Sequence, residues 1–301
     1  MLEITRRDAR RQALAGLIDY AGLFPPTSLE LESAVAEYRA ARTGADAWLL
    51  DRFICPAGRL VDLARVLVAT MQPREAAWSL VVTATPEEAR LVSDFAAELG
   101  RSARIDVVEM KLPEGATSAR LADLLATFDR VVFFEVPWQE AVVESLALLA
   151  ATRAASGRSL GAKLRCGGLT ADSFPPVPVV AGFLVECVRN RLPVKATAGL
   201  HHPIRHTDPI TGFTHHGFLN LLAATALAHA GAPVDTIAAV LAETDAAAFD
   251  LGSGGLSWRE HRLGADALSA MRRDFFVGYG SCSIAEPVAD LTALGILPVG
   301  E

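Results

Sequence analysis

The chain has 301 residues, 51% of them hydrophobic, and a formal net charge of −7 at pH 7. This composition supports a large core and argues against disorder, and the length suits two ordinary domains or one large α/β domain. The acidic balance and the lack of a basic run argue against nucleic acid or an anionic membrane surface as a partner.

Cysteine spacing and the N-terminal segment indicate the cellular compartment of the protein. The four cysteines are scattered and form no CxxC pair, which argues against a disulfide framework or a structural zinc site and favours a reducing interior. The first residues are basic and then apolar, but Asp19 interrupts the apolar part, so the segment predicts a helix rather than a signal peptide. No stretch offers roughly twenty uncharged apolar residues. We therefore expect a cytoplasmic protein that does not span a membrane.

The N-terminal part of the chain predicts two helices, over about residues 6 to 20 and 29 to 42, separated by a Pro-rich turn at 24–26. Short β-rich runs then alternate with amphipathic stretches of helix length. The runs are AWLLDRFICP, WSLVVTA, RIDVVEMKLP, RVVFFEVP, LGAKLRCGG, VKATAGL, GLSWRE and FFVGYGSCS.

Eight strand–helix units in about 250 residues predict an α/β (β/α)8 TIM barrel with a parallel sheet covered by helices. We assign residues 1–301 to a single barrel domain, with 1–45 as an N-terminal helical cap and 46–301 as the eight units. The seventh strand could lie at either end of AAAFDLGSGGLSWRE. An open doubly wound sheet is the alternative, although no GxGxxG follows the first strand.

Alternation of side chains along each predicted strand places an apolar set toward the helices and a polar set toward the barrel axis. The polar set lies in the C-terminal halves of the strands, where barrel active sites are found. Its members are Arg52, Glu109, Lys111, Glu135, Lys163, Arg165, Lys195, Thr197, Tyr279 and Ser281. Five cations then face two anions, which predicts a pocket for a small anionic metabolite, a phosphate or a carboxylate. The alternative is a self-compensating ion-pair network without a catalytic role.

Two lysines of this set stand on consecutive predicted strands, Lys163 on the fifth and Lys195 on the sixth. A neighbouring cation and burial would both lower the pKa of Lys195 and allow it to attack a carbonyl. Glu109 or Glu135 could then transfer protons, while Arg52 and Arg165 would bind the anionic group of the substrate, with Lys111, Thr197, Tyr279 and Ser281 beside it.

With Lys195 in VKATAG, Lys163 in GAKLRCGG and the eight-unit pattern, the sequence resembles the class I (Schiff-base) aldolases with barrel folds, several of which carry their lysine on the sixth strand. The resemblance implies a carbonyl–lyase activity with a Schiff base on a strand lysine and without a cofactor. The other interpretation of Lys195 is an anion-binding charge that forms no covalent bond.

The long loop after VKATAGL predicts a lid over the barrel mouth. Its first histidines, His201 and His202, are candidates for general acid, base or phosphate contacts. The alternative is a divalent metal held by His201, His202 and His206, in a metal-dependent hydrolase or lyase. A further alternative is a non-catalytic anion-binding barrel. The sequence is also compatible with a homo-oligomer.

We also make predictions for two smaller features of the sequence. Residues 19–28 could reach a pocket or plug the bottom of the barrel, and the apolar Leu23 and Phe24 favour the plug. Cys166 falls on the outward face of its strand, where a buried thiol behaves as a small hydrophobe.

Overall fold

The computed structural model describes residues 4–72, 75–139 and 141–298. Its strands, in chain order, are β1 Ile18–Tyr20, β2 Leu50–Pro56, β3 Trp78–Thr83, β4 Ala103–Lys111, β5 Val131–Glu135, β6 Leu160–Arg165, β7 Val194–Thr197, β8 His206–Thr207, β9 Thr214–His215, β10 Phe249–Gly252, β11 Gly255–Trp258, β12 His261–Gly264 and β13 Phe276–Ser281. The helices are α1 Ala9–Leu14, α2 Leu31–Ala41, α3 Leu60–Thr70, α4 Ala89–Leu99, α5 Ser118–Phe128, α6 Val142–Ser156, α7 Val177–Arg189, α8 Phe218–His229, α9 Val234–Ala242, α10 Ala265–Asp274 and α11 Ala285–Ala293.

Eight parallel strands close into a barrel in the order β1-β13-β7-β6-β5-β4-β3-β2. Helices follow these strands along the chain and pack around them, so the predicted (β/α)8 TIM barrel is confirmed. The remaining strands lie outside the barrel, as an antiparallel sheet of β10, β11 and β12 and a short hairpin of β8 and β9.

Seven of the eight predicted strands lie in the barrel, but one barrel strand was missed and one predicted strand lies elsewhere. The first barrel strand is β1, which lies inside the segment predicted as a helix over 6 to 20, because α1 ends at Leu14 and Gly16 turns the chain with φ +55°. GLSWRE forms β11, which pairs with its antiparallel neighbours outside the barrel. As a result, Lys163 lies on the sixth barrel strand and Lys195 on the seventh, instead of the fifth and sixth.

The core has two parts, one between the strands and the helices and one inside the barrel. The inner part is a small apolar layer of Ala21, Ile54, Val81, Val107 and Phe133. Along β4 and β5, Glu109 and Glu135 come two residues after members of this layer, toward the C-terminal end of each strand. The charged residues of these strands therefore lie between the apolar layer and the barrel mouth.

Loops at the C-terminal ends of the strands cover this mouth. Residues 21–30 connect β1 to α2, and Phe24 packs against the inner apolar layer. The expectation that this segment plugs the bottom of the barrel was wrong, since a loop that follows a barrel strand lies at the opposite end.

By length and composition alone, the stretch from Ala171 to Arg189 is apolar enough to cross a membrane, contrary to our reading of the sequence. One third of its most apolar window is buried in the fold. Five residues of α7, which forms most of the stretch, are buried: Val180, Ala181, Phe183, Leu184 and Cys187. A core helix of a barrel passes the same test of length and composition.

Candidate active site at the barrel mouth

A continuous chain of ion pairs runs through the upper half of the barrel. Lys195 pairs with Asp19 and, at 2.7 Å, with Glu109. The second oxygen of Glu109 lies 2.7 Å from the ammonium of Lys163, which is also 3.1 Å from Glu135. The chain of pairs therefore joins four strands, β1, β7, β4 and β6, before it reaches β5.

The outer end of this chain is Arg165, whose Nε lies 3.3 Å from Glu135. Exposure of the cationic side chains rises along the series, from 1% for Lys195 to 9% for Lys163 and 47% for Arg165. The series therefore leads from a sealed interior to solvent, and a small molecule that enters the mouth meets Arg165, Glu135 and Lys163 before Lys195.

A glycine allows the innermost pair to form. Asp19 on β1 and Lys195 on β7 are separated by β13, where Gly280 is the register partner of both Asp19 and Thr197. A Cβ at Gly280 would lie 3.2 Å from both Ile54 Cδ1 and Thr197 Oγ1, inside the barrel. The absence of a side chain there leaves space across β13 for Asp19 to contact Lys195.

The protonation of Lys195 differs from the sequence-based expectation. Lys163 is its register partner, as predicted, but each ammonium is bound by carboxylates. Burial acts to lower the pKa of Lys195, yet Asp19 and Glu109 outweigh it, so that the pKa is raised above its usual value of 10.5. The prediction of a neutral Lys195 is therefore wrong, and this residue is an ammonium with two fixed partners.

The carboxylates of the network are correspondingly ionised. Burial raises the pKa of Glu109, but Lys163 and Lys195 overcome this effect and hold the pKa at about 2. For Glu135 burial again opposes ionisation, and Lys163 and Arg165 lower its pKa below the usual value. Both groups are therefore carboxylates at neutral pH and can accept a proton from a donor within hydrogen-bond distance.

The cationic surplus predicted for the pocket is not found in this network. Asp19, which we had placed in a helix, adds a third carboxylate, and the balance is three cations to three anions. The cations are Lys163, Arg165 and Lys195, and the anions are Asp19, Glu109 and Glu135. Lys111, at the end of β4, is exposed beside the mouth and is the register partner of Glu135.

Arg52 lies at the other end of the barrel. It is the third residue of β2 and comes two residues before Ile54 of the apolar layer, so the prediction that it lies in the C-terminal half of its strand is wrong. Its guanidinium is 2.5 Å from Asp51, 3.7 Å from Asp19 and 4.0 Å from Asp106. Asp19 thus contacts both the mouth network and this lower cluster.

The polar residues of the last predicted strand do not face the axis. Tyr279 is buried against the surrounding helices and stacks on Phe218 with a centroid separation of 5.4 Å. Ser281 donates to the carbonyl of Ser283 at 2.7 Å. The expectation that these side chains line the pocket was wrong because the inward position between them is Gly280. Thr197 does face the interior, beside Gly280.

The loop histidines lie close together but bond to different partners, and the rings of His202 and His206 are 4.7 Å apart between centroids. His201 contacts Glu286 at 3.2 Å, and His202 contacts Asp290 at 2.7 Å, both on α11. His206 bonds to the carbonyl of Ile204 at 3.0 Å and stacks near His215. Among residues 4–72, 75–139 and 141–298, no three His, Cys, Asp or Glu side chains are arranged to hold a metal ion. The geometry therefore gives no support to a metal on His201, His202 and His206.

His216 anchors the long loop to the barrel body. Its Nε2 donates to the carbonyl of Pro175 at 2.7 Å, and Arg205 donates to its Nδ1 at 3.1 Å. Burial lowers the pKa of His216 to about 4, so that the ring is neutral and suited to this pair of bonds. We assign it a structural role.

Sequence reasoning missed two features of the mouth. Asp19 was available as an acidic residue in an otherwise apolar run, but a three-residue strand carries too little alternation to be recognised. The second feature is that the whole chain contains only three lysines, Lys111, Lys163 and Lys195, against twenty-five arginines, and all three lie on barrel strands. Counting the two residue types separately would have revealed this concentration.

Comparison with known proteins adds no family. No protein-family model matches the chain, and no curated protein matches it.

Proposed function

We propose that this protein is a lyase of the Schiff-base type that acts on a small carbonyl compound with an anionic group, and that Lys163 is its nucleophile. The observation that carries the proposal is the placement of Lys163. It stands on the sixth barrel strand, its side chain is 9% exposed against 1% for Lys195, and it has a carboxylate on either side.

The revised strand count supports this assignment. The aldolases that the sequence resembles include several with a lysine on the sixth strand, and that position belongs to Lys163 once β1 is counted. Lys195 then has a supporting role, in which its ammonium holds Glu109 and, with Asp19, completes the charge balance beneath the nucleophile.

Proton transfer would begin at Glu135. For attack, the ammonium of Lys163 passes one proton to Glu135, which lies 3.1 Å away and is closer to solvent than Glu109. The free amine then forms an N–C bond to the carbonyl carbon, and the carbonyl oxygen takes a proton to give a carbinolamine. Loss of water from this intermediate gives the iminium ion, with a carboxylate available to transfer the protons.

The anionic group of the substrate would be bound at the rim. Arg165 is half exposed and Lys111 is exposed, and both lie at the C-terminal ends of strands next to Glu135. A guanidinium binds a carboxylate or phosphate through two parallel hydrogen bonds, which fixes the orientation of the ligand.

Borohydride trapping tests the proposal. The protein is incubated with pools of phosphorylated and carboxylated aldehydes and ketones, reduced, and mapped by peptide mass. Because the chain has only three lysines, an adduct can be assigned among them without ambiguity. We expect an adduct on Lys163 that disappears in Lys163→Met, with a reaction lacking the carbonyl compound as control. An adduct on Lys195 would contradict the assignment of Lys163 as the nucleophile. A folded protein that forms no adduct with any pool would contradict the proposed lyase activity.

A structural ion-pair network is the competing hypothesis, and the equal numbers of cations and carboxylates favour it. A network of this kind needs no ligand, and its members would contribute only to stability. It predicts no adduct and no saturable binding of carboxylates or phosphates to the wild-type protein, whereas the proposed lyase predicts both.

A further inference from the structure

A second group of reactive side chains lies at the same mouth, on the opposite side of the barrel from Glu135. The strands β7, β13 and β1 are consecutive neighbours in the sheet, so the segments that follow them converge. His201 comes four residues after β7, Cys282 directly follows β13, and Thr27 lies in the loop after β1. None of these residues takes part in the lysine network.

The sulfur of Cys282 contacts both neighbours. Thr27 donates its hydroxyl hydrogen to the sulfur at 3.0 Å. His201 Nδ1 and Nε2 both lie 3.8 Å from the sulfur, and Nδ1 is also 3.2 Å from Oε2 of Glu286. With Nδ1–H directed to Glu286, Nε2 is free to accept the thiol proton.

We propose that Cys282 is a nucleophilic thiol for soft carbon electrophiles, with His201 as its base and Glu286 as the residue that orients the imidazole. A nucleophile within reach of a base that a third group holds in place is the arrangement that activates cysteine in enzymes, and such contacts are often looser without a substrate. The proposal is independent of the function proposed for Lys163.

Electrostatics support the geometry. Burial alone would raise the pKa of Cys282, but the bonds from His201 and Thr27 outweigh it and lower the pKa below the usual value of 9.0. The bond to Cys282 raises the pKa of His201 above 6.5 despite partial burial. The nearby phenol of Tyr20 stays protonated, since burial raises its pKa. These shifts favour a thiolate–imidazolium pair.

The other three cysteines provide internal controls. Burial raises the pKa of Cys55 and of Cys166 to about 12, and it also raises the pKa of Cys187. All three are fully buried, whereas Cys282 is 6% exposed. A single reactive thiol is therefore expected in the folded chain, since the thiolate is the attacking species.

Alkylation by iodoacetamide tests the proposal in the native full-length protein. In this reaction the thiolate sulfur forms a bond to the methylene carbon, iodide leaves with the electrons of the carbon–iodine bond, and the thiol proton remains on His201. The rate is measured against pH, and the labelled residue is identified by peptide mapping. We expect Cys282 to be the only residue labelled, with an apparent pKa below that of an ordinary thiol.

Variants separate activation from mere exposure. His201→Gln removes the base, and a rise of one unit in the thiol pKa would lower the rate at neutral pH by about tenfold. Glu286→Gln should give a smaller decrease. Asp290→Asn is the matched control, because Asp290 makes the same kind of bond to His202 on the same helix and should leave the rate profile unchanged. A native protein that is not labelled at Cys282, or a profile that His201→Gln does not move, would overturn the proposal.

Discussion

The two ends of the barrel both contain buried charge, but they use it differently. At the mouth, the ion pairs continue from sealed Lys195 to exposed Arg165 along a series of decreasing burial. At the opposite end, Arg52 lies near Asp51, Asp19 and Asp106, and we call these four residues the floor cluster. An apolar layer that includes Ile54, Val107 and Phe133 lies between the two groups, and Asp19 contacts both of them.

This difference shows that buried charge alone is a poor indicator of an active site. The floor cluster joins the starts of strands to each other, and at the same end Arg272 of α10 donates to the carbonyls of Ala15 and Gly16 at 3.1 and 3.0 Å. These are contacts that close a barrel. The mouth network has the same chemistry, but its outer end, Arg165, is half exposed to solvent, and this property supports the functional proposal.

The largest effect should follow the removal of the most buried cation. Lys195→Met leaves Asp19 and Glu109 facing each other without their shared partner, and breaking a buried pair in this way costs about 3–5 kcal/mol in free energy of unfolding. Urea unfolding measures the loss. Lys163→Met is the comparison, since Glu109 then keeps Lys195, and its loss should be smaller. Equal losses would contradict a network that is anchored at Lys195.

Acid should weaken the mouth network in a defined range of pH. The pKa of Glu109 is about 2 in the folded protein, against an ordinary value of 4.5. A folded-state pKa below the unfolded one gives stability that is present above pH 4.5 and is lost as the pH falls toward 2, on the order of 3 kcal/mol in total. Denaturation at a series of pH values measures the slope.

Two further observations sharpen this test. Glu109→Gln should be less stable than the wild type at neutral pH but lose less stability between pH 4.5 and 2. At the alkaline end, the raised pKa of Lys195 gives stability that is complete below pH 10.5 and is lost as the pH rises through the folded-state value. A wild-type slope in acid that persists in Glu109→Gln would assign it to other carboxylates.

A substitution in the floor cluster should change the stability of the protein without changing the reactivity of the mouth. Asp106→Asn weakens an acceptor for Ser79 and Arg104 and removes the ion pair with Arg52, and we expect a loss of about 1 kcal/mol in the free energy of unfolding. Borohydride trapping in this variant should give the same adduct at the same rate as the wild type. A change in trapping with unchanged stability would contradict the separation of the two ends.

The sequence predicted the architecture because a barrel depends on alternation that repeats. Runs such as WSLVVTA and RVVFFEVP are bounded by turn residues and long enough to show their type, and they form β3 and β5. β1 has three residues, too few for a period to appear. GLSWRE has the composition of a strand and does form one, but composition does not state which sheet a strand joins.

The site could be predicted in part for the same reason. Alternation correctly placed Glu109, Glu135 and Lys163 toward the axis, since each lies within a well-formed strand. The partners of Lys195 could not be predicted, because its contact with Asp19 joins residues 176 positions apart and passes across Gly280. Cys282 and His201 come together through the neighbouring positions of β7 and β13, which are separated in the chain by three helices and five short strands.

Replacement of Arg165, the outermost residue of the network, should have the smallest effect on stability. The same variant can distinguish a role of Arg165 in substrate binding from a role in the ion-pair series alone. Arg165→Leu removes a half-exposed guanidinium whose ion pair with Glu135 contributes about 0–1 kcal/mol. If Arg165 binds the anionic group of a substrate, this variant should need a higher concentration of a carboxylated or phosphorylated aldehyde for half-maximal trapping on Lys163. A neutral aldehyde of similar size provides the control, because its trapping does not depend on an anion contact and should be unchanged. Equal effects on both aldehydes would show that Arg165 acts through Glu135 and Lys163, as a member of the ion-pair series, instead of through the substrate.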